Sequence, residues 1–573
     1  MGGSPARCDT LPRVNRPTPA IVTQGAVRRL PRVALLLLCA AYVLPGFLGR
    51  EPWKNADIMA FGYMFELATG RTSWLEPLLL GQSPDFDALL PYWLGAWAIQ
   101  LAPGWLSPDF VARIPFIALL VVTLFSTWYG TYYLARTPHA QPVPFAFGGE
   151  AAPTDYARAM ADGALLALIA CLGLMQLSHE TTPALAQLGF TALAFYGLAA
   201  LPYRILAPAV ALAVALPGLA LSGAPAMGVV FALGGAVVHW INASHDSEAE
   251  GRGARGALLV LLLALASGAL AAAFGAWHWR LNPASGPGRE WQSLVRLVLW
   301  FTWPAWPLVL WTVWRWRRQL TRRHVALPLW FAAVSLVTTV VAPNPDRALL
   351  LGLPALAALA AFALPTFQRS VSALIDWFTL LFFSGCAIVI WVIWISLQTG
   401  VPAKPAQNVA RLAPGFEPSF GWIAFVVALL ATAAWIWLVR WRTSRSREAI
   451  WKSLVLPAGG TSLAWLLVMT LWLPVLDYAR SYKPVVQGIT AGIDAPGCVE
   501  VIGLTRPQIV ALRFHGQLDV RAAQIPSACP WLVAAQDLEV SLPMALNLKQ
   551  WRLVTAVRRP TDQRENLLLY RKR

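Results

Sequence analysis

Apolar runs of about 18 to 25 residues recur along most of this 573-residue chain, and each is long enough to cross the hydrocarbon core of a bilayer. The runs are continuous and rich in Leu and Ala, without the period-two alternation of a membrane β-barrel. They therefore predict an all-α polytopic membrane protein. Composition agrees: 57% of residues are hydrophobic and 13% charged, against about 25% charged in soluble domains. The first run, 33–48, follows Arg28, Arg29 and Arg32 as a signal peptide would. No small-x-small cleavage site precedes a polar mature start, so it reads as an uncleaved first helix.

Spans are expected at 32–49, 109–135, 161–178, 183–200, 204–221, 225–241, 255–275, 293–315, 325–341, 346–364, 373–398, 418–440 and 453–474. The run 88–103, which opens LLPYW, is short and is read as a helix lying at or re-entering the membrane surface. Charge tests that choice. The net charge of +17 fits either nucleic-acid binding or basic cytoplasmic loops, and its concentration in short inter-helix loops favours the second. With thirteen spans and the N-terminus inside, the basic loops WRWRRQLTRRH (314–324) and RWRTSRSREAIWK (440–452) both fall inside. Counting 88–103 as a span would put them outside. The 29 Trp fit interfacial belts.

Beyond about residue 478 the chain is no longer membrane-like. It reads as strand–helix–strand–strand–strand, in CVEVIGL, RPQIVALRF, WLVAAQ, WRLVTAVRR and NLLLYRK, a small α/β domain on the outer side. Cys498 and Cys529 both fall in it and could form a disulfide in an oxidising compartment, or remain two thiols. The chain carries no P-loop, GxGxxG or GxSxG, so it holds no self-contained ATP-driven pump.

The long polar loops all fall outside, and the first is the richest: 49–93 carries Glu51, Lys54, Asp57, Glu66, Arg71, Glu76, Asp85 and Asp87. Asp57 opens DIMAFGYMFELATG, expected to be an amphipathic helix, where an acid is favoured by the dipole or serves only as a cap. Asp85 and Asp87, just before the Tyr92 segment, could bind a divalent cation, orient an acceptor or be solvated loop acids. His179 and Glu180 sit in a short outer loop between two apolar runs, either at a site or as interfacial caps. His278, in AWHWR, is a further metal candidate or an interfacial residue. Arg347, beside Asp346 at a span start, suits a lipid phosphate because guanidinium matches phosphate geometry. Lys54, Arg50 and Arg71 could add to it, and snorkelling at a helix end is the alternative for Arg347.

Several runs together resemble bacterial glycosyltransferase family 39 proteins of the GT-C fold, which include aminoarabinose–lipid A transferases and protein O-mannosyltransferase relatives. They are Pro52-Trp53-Lys54 with Asp57, then GRTSWLEPLLLG (70–81), LLPYWLGA (89–96), PNPDRALLLGLPALAALAA (343–361) and LPVLDYARSYKPVV (473–486). The family's acidic pair is reduced here to Ala56-Asp57, and its KPP lysine is missing. The resemblance implies a cytoplasmic tail over 1–31, a GT-C-like membrane domain over 32–477 with a catalytic outer loop at 50–108, and a periplasmic domain over 478–573. It implies an inner-membrane enzyme moving a sugar from a polyprenyl-phosphate donor to a glycolipid (lipid A or another) or protein acceptor, with inversion. Asp57 would be the base or orienting carboxylate. Lys54, Asp85, Asp87, Tyr92, His179, Glu180 and Arg347 would contact substrate. A divalent metal at Asp85, Asp87 or His278 is one expectation; no nucleotide cofactor and no nucleic acid are expected. A lipid or polysaccharide transporter and an inactive subunit of an assembly are the competing functions.

Overall fold

Proline placement starts many of the helices, because a proline at the first position loses no hydrogen bond and presets φ. The computed structural model describes residues 18–85, 87–243, 253–277, 291–367, 369–443, 449–495, 497–524, 526–536, 550–562 and 564–573. Helix α1 (Arg32–Val43) is followed by two loop helices, α2 (Ala56–Ala68) and α3 (Leu90–Leu101). Then come α4 (Pro108–Ala135), α5 (Pro153–Ala170), α6 (Leu172–Leu177), α7 (Pro183–Ala200), α8 (Leu206–Leu221), α9 (Pro225–Asn242) and α10 (Gly253–Ala273). The second half holds α11 (Trp291–Phe301), α12 (Ala305–Arg315), α13 (Arg323–Val341), α14 (Pro345–Leu350), α15 (Leu353–Ala363), α16 (Arg369–Thr399), α17 (Ala403–Leu412), α18 (Trp422–Thr443) and α19 (Val455–Leu471).

Every expected span coincides with helix, but thirteen full crossings are not what the lengths give. Among the described residues eight helices are long and apolar enough to cross a membrane, or nine if the bent α11–α12 pair is one span. The run 293–315 breaks by 87° at Pro304, which has no N–H to continue the helix. The run 161–178 ends at Ala170 and resumes as the six-residue α6. Helices α1, α8 and α15 are shorter than a hydrocarbon core. The 88–103 run forms the 12-residue α3, too short to span.

Helix α2 departs from the amphipathic expectation. Asp57 to Met64, Glu66 and Leu67 are all buried, because α3, α4 and the C-terminal domain cover it on several sides. The approach is closest at Gly62, where an added Cβ would lie 2.1 Å from a Val510 methyl.

The membrane part hands over through α20 (Leu473–Arg480) and α21 (Lys483–Ala491) to a five-stranded sheet. Strands β1 (Val499–Ile502), β2 (Val520–Ala522), β3 (Trp531–Ala535), β4 (Trp551–Arg558) and β5 (Asn566–Lys572) lie in the order β2-β1-β3-β5-β4. The β1 pairs are parallel and those of β5 antiparallel. Helix α22 (Arg506–Phe514) starts with a Thr505/Gln508 capping box and packs on α2. All five expected tail elements form; the short β2 is the addition. Cys498 and Cys529, just before β1 and β3, are disulfide-bonded with Cα atoms 5.1 Å apart.

Candidate functional site

Between the helical bundle and the C-terminal domain lies a cavity of about 1490 Å³ with two chemically different halves. One half is an apolar groove between α9 and α13, walled by Met227, Val230, Trp330, Val334, Val337 and Val341. The other is polar, with Asn55, Gln82, Asp85, Asp87, Gln187, Asn344 and Arg347 from the membrane part, and Tyr482, Thr505, Arg506 and Glu565 from the chain after it. Gln187 is a polar group in an apolar helix, anchored by donating from Nε2 to the Ser222 carbonyl at 2.7 Å. Asp87 is carried to the wall by the α8–α9 turn. The Leu89 N–H donates to the Leu221 carbonyl at 2.8 Å. Gly223, at φ +82°, turns the chain where a Cβ would press on the Asp87 carbonyl at 3.2 Å. Arg347, held by the short α14, lies 3.5 Å from Glu180.

Asp57 does not line this cavity, although its neighbours Asn55, Ala56 and Met59 do. It is 3% exposed and meets four donors. Oδ1 accepts from Thr181 N at 2.8 Å and Thr181 Oγ1 at 2.6 Å. Oδ2 accepts from Trp53 N at 3.1 Å and pairs with Arg50 at 3.0 Å. Burial raises its pKa, but the charges of Arg50 and Arg113 and the Thr181 bonds outweigh it, so the carboxyl ends below its ordinary value. Arg50 donates to the His179 carbonyl at 2.7 Å, and Arg113 donates to the Arg50 carbonyl at 2.6 Å. This buried cluster ties the start of α2 to the 179–181 loop, and so fixes Glu180 beside Arg347.

His179 is a packing group. Its ring nitrogens lie 2.6 and 3.0 Å from the carbonyls of Met175 and Tyr42, its ring lies against Trp465 and Phe47, and burial pushes its pKa down to about 4. Tyr92 is buried against Tyr63, off the cavity wall. Lys54 points to the C-terminal domain, at 3.0 Å from Asp562 and 2.9 Å from Glu565. Asp85 is bound by Arg506, which also donates to the Ser83 carbonyl at 2.5 Å. His278 lies outside the described residues. Among the described residues no three His, Cys, Asp or Glu side chains converge to hold a metal ion. With Asp85 already engaged by Arg506, the residues present do not fit a metal site there.

The run 473–486 interlocks with the run 52–57. Asp477 Oδ1 accepts from the Trp53 indole at 2.6 Å and from Glu51 N at 3.2 Å. Arg50 and Arg480 flank the Trp53 ring at 4.7 and 5.1 Å, and Lys483 reaches Glu51 at 2.9 Å. Burial pushes Asp477 up to about 6, against the Trp53 and Glu51 bonds, which lower it. Its folded pKa thus lies above the unfolded value of about 3.9. The stability it contributes is complete below about pH 4 and is lost as pH rises through 6. Asp477→Asn keeps an acceptor for both bonds and imitates the protonated acid. The variant is expected to lack this group's share of the decline between pH 4 and 6 and to melt at or above wild type at pH 7. Melting midpoints measured across pH check this; a lower midpoint at pH 7 contradicts it.

Arg506, Glu565, Tyr482 and Gln187 are among the cavity residues that sequence reasoning did not single out. Tyr482 lies inside the quoted 473–486 run, and Gln187 carried a signal as an isolated amide in an apolar span. Arg506 and Glu565 look like ordinary tail charges.

No family profile matches the sequence, and no curated protein matches it. Solved structures do. ArnT from Cupriavidus metallidurans bound to undecaprenyl phosphate aligns at a TM-score of 0.59 and 13% identity, covering 94% of this chain and 98% of that one. The apo form of the same protein aligns at 0.59 and 14% identity, with the same coverage. At this identity the likeness is one of fold: the chain is a multi-pass membrane protein with the GT-C architecture and a small C-terminal sheet domain.

Proposed function

We propose that this protein is a glycosyltransferase that takes a sugar from a polyprenyl-phosphate-linked donor and passes it to an envelope acceptor, a glycolipid or a protein. The observation that carries this reading is the two-part cavity: an apolar groove between two membrane helices runs into a polar chamber with Arg347 on its wall. A lipid-linked sugar has the same division, with a polyprenyl chain for the groove and a phosphate and sugar for the chamber. The undecaprenyl phosphate bound by a protein of this fold supports the same donor class.

In the proposed reaction the acceptor oxygen attacks the anomeric carbon opposite the phosphate. The carbon–oxygen bond to phosphate breaks, polyprenyl phosphate leaves, and the configuration inverts. Arg347 neutralises charge growing on the phosphate. A cavity carboxylate takes the acceptor's proton, and we assign this to Asp87. Of the two roles expected of Asp57, orienting is the better supported, since its oxygens are already engaged by four donors.

The site is assigned to the periplasmic face of a bacterial inner membrane. The disulfide supports an oxidising compartment. The N-terminal arginines meet the basic-loop segments at the other end of the bundle, where Trp451 donates to the Arg28 carbonyl at 2.7 Å and Arg29 pairs with Asp155.

Arg347→Ala is expected to lower kcat/KM for transfer about 10²- to 10³-fold and to lower the melting midpoint as well, because Glu180 loses its ion-pair partner. Asp87→Asn should lower kcat with little change in donor affinity. The assay is purified protein in vesicles with polyprenyl-phosphate-linked sugars, paired with mass spectrometry of envelope glycolipids and glycoproteins from cells with and without the protein. Movement of lipid or polysaccharide with no glycosyl product would overturn the reading.

A further inference from the structure

A second cavity, of about 540 Å³, opens at the end of the bundle away from the two-part cavity, between α1, α4 and α5. Its slot is apolar, walled by Leu36, Ala40, Val121, Leu124 and Phe125. Its mouth carries three cations, Arg29, Arg32 and Arg158. Two acids of α5 hold the segment that leads into α1. Asp155 binds Gln24 at 3.0 Å, Arg29 at 3.3 Å and Arg158 at 3.6 Å. Asp162 takes the Trp128 indole N–H at 2.8 Å and a bond from the Leu30 backbone. These contacts lay residues 24–30 along α5 and bring the arginines to the slot's edge. Asp155 and Asp162 offset at most two of the three cations, and Arg32 has no carboxylate partner among the described residues, so the mouth keeps net positive charge. Helix α1 is 12 residues long, about 18 Å, which is roughly one leaflet of a bilayer.

We propose that this cleft binds an anionic phospholipid of the leaflet that holds the N-terminal segment, with one acyl chain in the slot and the headgroup phosphate among Arg29, Arg32 and Arg158. Charge complementarity selects this occupant. A lipid without a phosphate would fill the slot and leave the arginines unmatched, a zwitterionic one would bring its ammonium into a cationic mouth, and a soluble phosphate would match the arginines and leave the slot empty. The site is independent of the proposed transfer reaction, since none of its residues lines the other cavity.

Native mass spectrometry of the full chain in mild detergent, titrated with phosphatidylglycerol, tests this. Wild type should retain one tightly held phosphatidylglycerol and prefer it to phosphatidylethanolamine and diacylglycerol. Arg32→Ala with Arg158→Ala should weaken retention roughly thirtyfold, about fivefold for each charge removed. Val121→Trp, on the lipid-facing side of α4, fills the slot with the arginines intact and should abolish retention while the melting midpoint stays put. The proposal fails if both variants retain the lipid as wild type does, if diacylglycerol binds as well, or if inorganic phosphate displaces the lipid competitively.

Discussion

Asp57→Asn is expected to destabilise the protein by about 3–5 kcal/mol, the usual result of removing one partner from a buried ion pair. The amide would present a donor to Arg50 or give up one of its Thr181 and Trp53 bonds. Arg50 would stay charged and 4% exposed, within a cluster that already contains Arg113. The loss should appear as a lower thermal midpoint and a smaller folded yield, before any assay of transfer. Asp57→Asn combined with Arg50→Gln should recover part of it, because both buried charges are then gone. The measurement also separates the two roles of Asp57. A base at a cavity wall, replaced by its isosteric amide, leaves the midpoint nearly unchanged and stops turnover. An orienting carboxylate loses stability first, and the fraction that stays folded keeps measurable turnover. A variant that melts like wild type and transfers nothing would return the base to Asp57 and remove it from Asp87.

The contrast between Asp57 and Asp87 marks where sequence reasoning runs out. Helix positions were legible because apolar runs report burial in lipid directly, and the tail elements were legible as short apolar stretches separated by polar ones. The runs at 52–57 and 473–486 were legible only as separate stretches; that they meet, in the Trp53–Asp477 contact, appears in the structure alone. Membership of a polar outer loop, however, says nothing about direction. Both aspartates belong to that loop, yet one faces the protein's interior and the other a cavity. Arg506, which holds Asp85 from 421 residues away, could not be paired with it from either local stretch. The 87° break at Pro304 was missed for a different reason: hydropathy averaged over 293–315 is the same for a straight span and a folded one, and the proline that marks the break was not weighed.

The second large effect concerns the C-terminal domain. Gly62→Ala is expected to lift it from the membrane part. The new Cβ would lie 2.1 Å from one Val510 methyl and 3.0 Å from the other. Valine has little rotamer freedom with which to retreat, and α2 is closed in by α3 and α4. The contacts that depend on this approach include Glu66 with Arg513, Asp85 with Arg506 and Lys54 with Asp562 and Glu565. The Asp85 and Lys54 pairs are partly exposed and contribute little singly, and the buried Glu66–Arg513 pair lies one turn from Gly62 on α2, so a backbone displacement there would break it as well. The domain would still fold, because its sheet and disulfide lie within 498–573, but Thr505, Arg506 and Glu565 would leave the cavity wall. Transfer should therefore fall sharply, while limited proteolysis releases an intact C-terminal fragment near 492–498. Val510→Ala removes both methyls and leaves only its Cβ, 3.2 Å from the new one, so Gly62→Ala with Val510→Ala should re-dock the domain and restore activity. Protection from protease in the single variant, or failure of the double variant to recover, would show that this close approach does not govern docking.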